Sequence, residues 1–225
     1  MVGFFDSGVG GTCVLEAFRR LCPEEPTVYV ADTENCPYGN KPPEEIVRLS
    51  KRIAADLIDR GCEVVVVACN TATAGAIDTL RATWPDVPFV GMEPAIKPAA
   101  LGSKTGVVGV LATRGTFNGR LYRQTSSRVP GSVKIIEAVA DEFVTLVEHG
   151  ETAGSAVETA VRARLEPLIA AGADRSVLGC THFPHLKPVM EKIVAGRAEI
   201  VDPSDAVARR VRDVLQAARR AKHED

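Results

Sequence analysis

The sequence has no surplus of positive charge. Lys plus Arg number 27 against 29 Asp plus Glu, a formal net charge of -2. A chain whose main business is gripping nucleic acid needs a strongly basic balance, so that class is excluded. Long hydrophobic runs are also missing. The longest, Val64–Cys69, falls far short of the ~20 residues that span a bilayer. The first residues, Met1-Val2-Gly3-Phe4-Phe5-Asp6, have no basic region and no small-residue cleavage site. No secretory signal and no membrane association are therefore expected, and the chain reads as cytoplasmic. The six cysteines (Cys13, Cys22, Cys36, Cys62, Cys69, Cys180) form no C-x-x-C pair and are not dense enough for a disulfide framework. They read as reduced thiols, so a special cysteine among them would be reactive or metal-bound.

Cofactor signatures are missing too. The glycine-rich stretch Asp6-Ser7-Gly8-Val9-Gly10-Gly11-Thr12 is no dinucleotide fingerprint, because the last glycine position falls on Cys13. It is no P-loop, because no Gly-Lys-Ser/Thr follows. No Lys stands in a recognisable pyridoxal-phosphate context. A cysteine-dependent phosphatase would need an Arg six residues past its thiol, and those positions hold Gly75 and Leu186.

What is present is an ordinary globular composition: 45% hydrophobic and 25% charged residues in a chain of 225. That is enough apolar material for a sizeable core, in one large α/β unit or two small lobes. Short β-branched runs alternate with amphipathic segments. Strands are expected at Val2–Phe5, Val28–Ala31, Glu63–Ala68 and Phe89–Val90, with helices at Cys13–Leu21, Glu44–Arg60 and Thr73–Thr83. The rhythm returns after Pro94, Pro98 and Gly102, which mark a crossover between lobes. Strands Gly106–Leu111, Val133–Ala138, Ser176–Leu178 and Ile200–Val201 alternate there with helices Gly115–Gln124, Ser155–Ala171 and Leu186–Val194, and a final helix covers Ala206–Ala221. Such alternation implies parallel sheets with helices outside.

The halves look like copies. One strand runs into Ala68-Cys69-Asn70-Thr71 and the other into Gly179-Cys180-Thr181-His182. A thiol at the C-terminal end of a parallel strand points toward the crevice where α/β sheets bind ligands. The helix that follows offers N–H groups and a positive dipole end, which favour thiolate. Two such thiols from two similar lobes suit a proton transfer at one carbon, one removing and one donating. Cys13, Cys22, Cys36 and Cys62 read as small buried apolar residues instead. The glycine-rich entrance can hold a carboxylate, with Asp6 in the crevice; a plain tight turn is the alternative. His182 is an acid/base partner for Cys180. Cys180, His182 and His185 with Cys69 could also be read as a metal cluster, the weaker reading because three near neighbours in a tight loop seldom turn onto one ion. Arg209, Arg210, Arg212, Arg219, Arg220 and Lys222 form a basic face on the last helix, taken as solvated surface.

At these residues the chain resembles the cofactor-independent aspartate/glutamate racemases, and among them the glutamate racemases. The matching stretches are Phe5–Gly11, Asp32-Thr33 with Pro37-Tyr38-Gly39, Ala68–Ala72, Gly91–Ala99, Leu111–Thr116, Leu146-Val147-Glu148 and Gly179–Pro184, in the family's order. Departures are Cys36 where a bulky apolar residue is usual, His185 where Leu is common, and Val139-Ala140-Asp141 in place of Ala-Cys-Pro.

The resemblance implies two pseudo-symmetric α/β lobes, residues 1–93 with 205–225 and residues 94–204. Each would be a mostly parallel sheet flanked by helices, with the active site in the cleft between them. It implies Cys69 and Cys180 as the acid/base pair, Cys69 taking the proton from D-glutamate and Cys180 from L-glutamate. Asp6 would tune Cys69, and His182 with Glu148 would tune Cys180. Asp6, Ser7, Asp32, Pro37, Tyr38, Gly39, Asn70, Thr71, Thr113, Thr181 and His182 would line the substrate site. The expected reaction interconverts L- and D-glutamate for peptidoglycan synthesis, with no cofactor and no metal. The partner would be the small-molecule substrate, with room for a homodimer. Racemisation of aspartate or another acidic amino acid, and a non-catalytic binding paralogue, remain the alternatives.

Overall fold

Residues 1–224 are described by the computed structural model, with side chains through residue 221. The chain divides into two compact units, one formed by Met1–Met92 with the chain from Ser204 on, the other by Glu93–Pro203.

In the first unit the strands are β1 (Val2–Asp6), β2 (Thr27–Ala31), β3 (Val64–Val67) and β4 (Phe89–Gly91), all parallel and ordered β2-β1-β3-β4. The helices are α1 (Thr12–Leu21), α2 (Pro43–Asp59) and α3 (Asn70–Thr83), joined by the last helix, α10 (Ser204–Glu224). All four valines of β3 are fully buried, as expected of a strand covered on both faces. Val65 and Val67 pack with Phe5 against Leu49, Ile53 and Leu57 of α2 and Leu80 of α3. Val64 and Val66 pack with Val2 and Phe4 against Val14 and Phe18 of α1 and Val207, Val211 and Leu215 of α10.

The second unit contains α4 (Ile96–Gly102), β5 (Val107–Ala112), α5 (Arg114–Asn118), α6 (Arg120–Ser126), β6 (Lys134–Val139), α7 (Glu142–Glu148), α8 (Ser155–Ala170), β7 (Arg175–Leu178), α9 (Lys187–Val194) and β8 (Glu199–Val201). Its strands are parallel and ordered β6-β5-β7-β8, the same winding as in the first unit. The internal repeat seen in sequence is thus a repeat of topology.

Several expectations need correction. The helix expected at Gly115–Gln124 is two, because Gly119 is extended (φ -70°, ψ 144°) and breaks the run. The stretch with Pro98 is not bare crossover but α4. Pro98 falls in its first turn, where an N–H has no intrahelical acceptor to lose. Helix α3 begins three residues earlier than expected, directly after Cys69. Arg219 on α10 is only partly solvated and is engaged in ion pairs. It pairs with Glu25 (2.7 Å) and Glu63 (2.8 Å), while Arg209, Arg210 and Arg220 are exposed as expected. The side chain of Lys222 lies outside the described residues. Among the described residues no helix is long and apolar enough to cross a membrane.

Candidate active site

Each unit places one cysteine just past the end of an inner strand, and each cysteine has its own polar relay. In the first unit β1 ends in Asp6, which is fully buried. The Gly11 N–H donates to Asp6 Oδ2 at 2.8 Å, and the Ser7 hydroxyl donates to Oδ1 at 3.4 Å. The Cys69 thiol in turn reaches Ser7 Oγ at 3.8 Å. Ser7 thus lies between the Asp6 carboxylate and the Cys69 sulfur. Gly11 is required here: a Cβ would lie 2.8 Å from the Ala68 carbonyl oxygen and 2.9 Å from Asp6 Cβ.

Cys69 is also the N-cap of α3. Its sulfur accepts from the Ala72 N–H at 3.4 Å, so the start of a 14-residue helix is turned on the thiol. A sulfur in that position is stabilised as thiolate by the N–H and by the dipole end. Beside it, Asn70 is 4% exposed, and neither its side-chain oxygen nor its nitrogen has a hydrogen-bond partner among the described residues. A buried amide left unpaired costs ~1–3 kcal/mol, so it marks a group shaped for something polar. Thr71 is half-buried.

Asp32 and Tyr38 form a second cluster in this unit. Tyr38 is fully buried, in the same apolar cluster as Cys69, and its hydroxyl donates to Asp32 Oδ2 at 2.6 Å. Burial, then the hydrogen bond to Asp32, then the charges of Asp32 and Cys69 push the Tyr38 phenol far above its usual pKa, so it stays protonated. Gly39 is half-buried and Pro37 exposed.

In the second unit β7 runs through Gly179 into Cys180, Thr181 and His182. A Cβ on Gly179 would meet the Leu111 carbonyl oxygen and Ala112 Cβ at 2.9 Å each, the counterpart of the close approach at Gly11. His182 is 2% exposed and Thr181 likewise. His182 Nε2 lies 2.5 Å from Glu148 Oε1, and its Nδ1 lies 3.7 Å from Cys180 Sγ. With the Glu148 carboxylate accepting, Nε2 carries the hydrogen, and Nδ1 in that tautomer is an acceptor facing the thiol. Thr113 caps α5 and bonds Thr116 Oγ1 at 3.1 Å, and that hydroxyl reaches the Gly179 carbonyl at 3.5 Å. Thr113 thus supports the strand end that carries Cys180.

The model of the Asp/Glu/hydantoin racemase family matches residues 12–211. The chain belongs to that family. A glutamate racemase of Herpetosiphon aurantiacus is 45% identical over 217 residues, 96% of this chain and 85% of that protein. The glutamate racemase of Escherichia coli, solved with L-glutamate and an activator, superposes with a TM-score of 0.88 at 35% identity, covering 96% of this chain and 82% of that one. That of Francisella tularensis, solved with D-glutamate, gives 0.83 at 27%, covering 97% and 81%. The two-lobe α/β architecture expected from sequence is the architecture of these racemases.

Of the other cysteines, Cys62 is buried, whereas Cys13, Cys22 and Cys36 are only half-buried. Burial raises the pKa of Cys22 and Cys62, which makes both poor nucleophiles. Cys13 accepts a hydrogen bond from Ser204 at 3.4 Å, a polar neighbour that the sequence reading did not foresee. Sequence reasoning also missed Arg52, Asn35 and Thr116. Arg52 and Asn35 both bond Asp32 Oδ1, at 3.0 and 2.9 Å. Arg52 stands on the polar side of an amphipathic helix, where nothing separates it from a solvated charge. Thr116 closes the matching stretch Leu111–Thr116, where the resemblance gives a role to Thr113 alone.

Proposed function

We propose that this chain is a glutamate racemase, using Cys69 and Cys180 as the two acid/base groups. The observation that carries the reading is the duplicated half-site. Two sheets of the same strand order each present a thiol past the same inner strand, and each thiol leads into a carboxylate through an intermediate side chain: Ser7 to Asp6, His182 to Glu148. One thiolate removes the α-proton and the opposite thiol delivers its own proton to the other face of the planar carbon. The product then leaves with a solvent-derived proton, and the two cysteines have exchanged protonation states. Cys69 takes the proton from the D-enantiomer and Cys180 from the L-enantiomer.

The α-proton of an amino acid is far less acidic than a thiol of pKa about 8.5, so the charge that develops must be held. The N–H groups at Asn70-Thr71 and Thr181-His182 hold the α-carboxylate, and the Asn70 amide gains there the polar partner it lacks within the protein. His182, kept in one tautomer by Glu148, takes up or returns the Cys180 proton; Ser7 and Asp6 do the same for Cys69. Tyr38, Gly39, Pro37 and Thr113 complete the pocket. The product serves peptidoglycan synthesis in the cytoplasm, and the partner is the small substrate, in a monomer or a homodimer.

The test is incubation of purified protein with single enantiomers of glutamate and aspartate, followed by circular dichroism after dialysis against a chelator. Racemisation of glutamate with a larger kcat/KM than aspartate is expected, with solvent deuterium in the product and none in unreacted substrate. A larger kcat/KM for aspartate, or activity restored only by added zinc or pyridoxal phosphate, rejects the reading.

A further inference from the structure

Asp32 carries a negative charge at 6% exposure, inside the unit that must receive an anionic substrate. Its carboxylate is filled by three donors: the Tyr38 hydroxyl at 2.6 Å on Oδ2, and Asn35 Nδ2 at 2.9 Å and Arg52 Nη2 at 3.0 Å on Oδ1. Among the described residues Arg52 is the one cation paired with it. Asp32 thus has little capacity left for substrate. What it does instead is fix the Tyr38 hydroxyl, whose ring shares the apolar cluster of Cys69.

We propose that Arg52 is a positioning residue for the Cys69 half-site: it cancels the charge of Asp32, so that Asp32 can orient Tyr38 without repelling the substrate's carboxylates. The assignment rests on the racemase reading, which gives Tyr38 to the substrate pocket. Arg52 reaches Asp32 from α2, whose buried face of Ile46, Leu49 and Ile53 anchors the helix in the same cluster. The guanidinium itself is more than half exposed (57%), and its side-chain hydrogen bond goes to Asp32.

The predicted signature is charge-specific. Arg52→Gln keeps a polar but shorter side chain and leaves Asp32 with an uncompensated charge, and Arg52→Lys separates the two effects. KM for glutamate should rise ~10-fold while kcat changes less than ~3-fold, because a binding anion is repelled equally in ground and transition states. Arg52→Lys should restore KM to within ~3-fold of wild type. In an Asp32→Asn background, where the amide oxygen still accepts from Tyr38, the same Arg52→Gln change should cost less than ~2-fold. A second readout needs no turnover. The protein has three tyrosines, Tyr29, Tyr38 and Tyr122. With carbon-13 at the tyrosine Cζ, and Tyr38→Phe to assign the resonance, Arg52→Gln should shift Tyr38 and leave the other two in place. An unmoved Tyr38 resonance, or a KM penalty just as large in the Asp32→Asn background, overturns the proposal. A wild-type protein that does not racemise glutamate while Tyr38 still responds to Arg52→Gln overturns the functional reading and leaves the Arg52–Asp32–Tyr38 coupling standing.

Discussion

Replacing Glu148 by Gln isolates the electrostatic part of the Cys180 relay. Glu148 is on α7 with its side chain 18% exposed, and its Oε1 sits 2.5 Å from Nε2 of His182, which is nearly fully buried. When Cys180 gives its proton to Nδ1, the imidazolium that forms is stabilised by a charge-assisted hydrogen bond. Such bonds are worth ~1.5–3 kcal/mol, about twice a neutral one. Gln keeps the size and an acceptor oxygen but removes the charge. The neutral bond that remains keeps about half of this, so ~0.75–1.5 kcal/mol is lost, and at ~1.4 kcal/mol per factor of ten kcat/KM should fall between ~3.5- and ~12-fold. The equilibrium constant between enantiomers is unity, so kcat/KM must fall equally in both directions, while kcat and KM are free to change differently in each. Circular dichroism of glutamate started from either enantiomer measures all four constants. A variant within threefold of wild type would show that His182 needs no carboxylate behind it, and the relay would have to be abandoned.

The two thiols should fail as a unit: Cys69→Ala and Cys180→Ala should each lose at least ~10²–10⁴-fold in kcat, with the double variant little worse, and a single variant near wild-type rate would refute the two-base scheme. Gly11→Ala forces a methyl group against the Ala68 carbonyl and Asp6, at 2.8 and 2.9 Å, and should cost ~1–3 kcal/mol with a loss of activity. At ~2–4 °C per kcal/mol the drop is readable by calorimetry, and an unchanged melting temperature would show that the turn yields freely. Arg219, followed by the chain's N-terminal ammonium, holds the Glu63 carboxyl down at about 2 from an ordinary 4.5. A depressed folded pKa gives stability that is present above the unfolded value and is lost as pH falls toward the folded one. Arg219→Gln should therefore lower stability at neutral pH and flatten its decline between about pH 4.5 and pH 2 in urea titrations; an unaltered acid limb would contradict the pairing.

Much of the frame was legible because it is written in short-range pattern. The valine run of β3 could only be a strand buried on both faces, and the Cys69 and Cys180 stretches announce themselves as strand ends meeting polar pairs. The missing parts depend on contacts distant in sequence or on single backbone angles. Asn70 and Thr71 are weak helix formers, yet α3 starts there because the Cys69 sulfur caps it. The seven residues of α7 are too few for a periodic signal, so Glu148 was found only through family resemblance. Arg52 and Arg219 looked like any surface charge until the fold brought Asp32 beside one and Glu25 and Glu63 beside the other.

The return of α10 to the first unit has a consequence for how the protein is made. Val207, Val211 and Leu215 cover the same side of the sheet as Val2 and Phe4, so the oldest strand waits for the youngest helix. The second unit is one continuous stretch, Glu93–Pro203, and has all its strands before Ser204 is added. Domains fold as units during synthesis, at ~5–20 residues per second. On the ribosome, then, the Cys180 half can finish first, while the Cys69 half stands with one apolar face covered by α1 but not yet by α10.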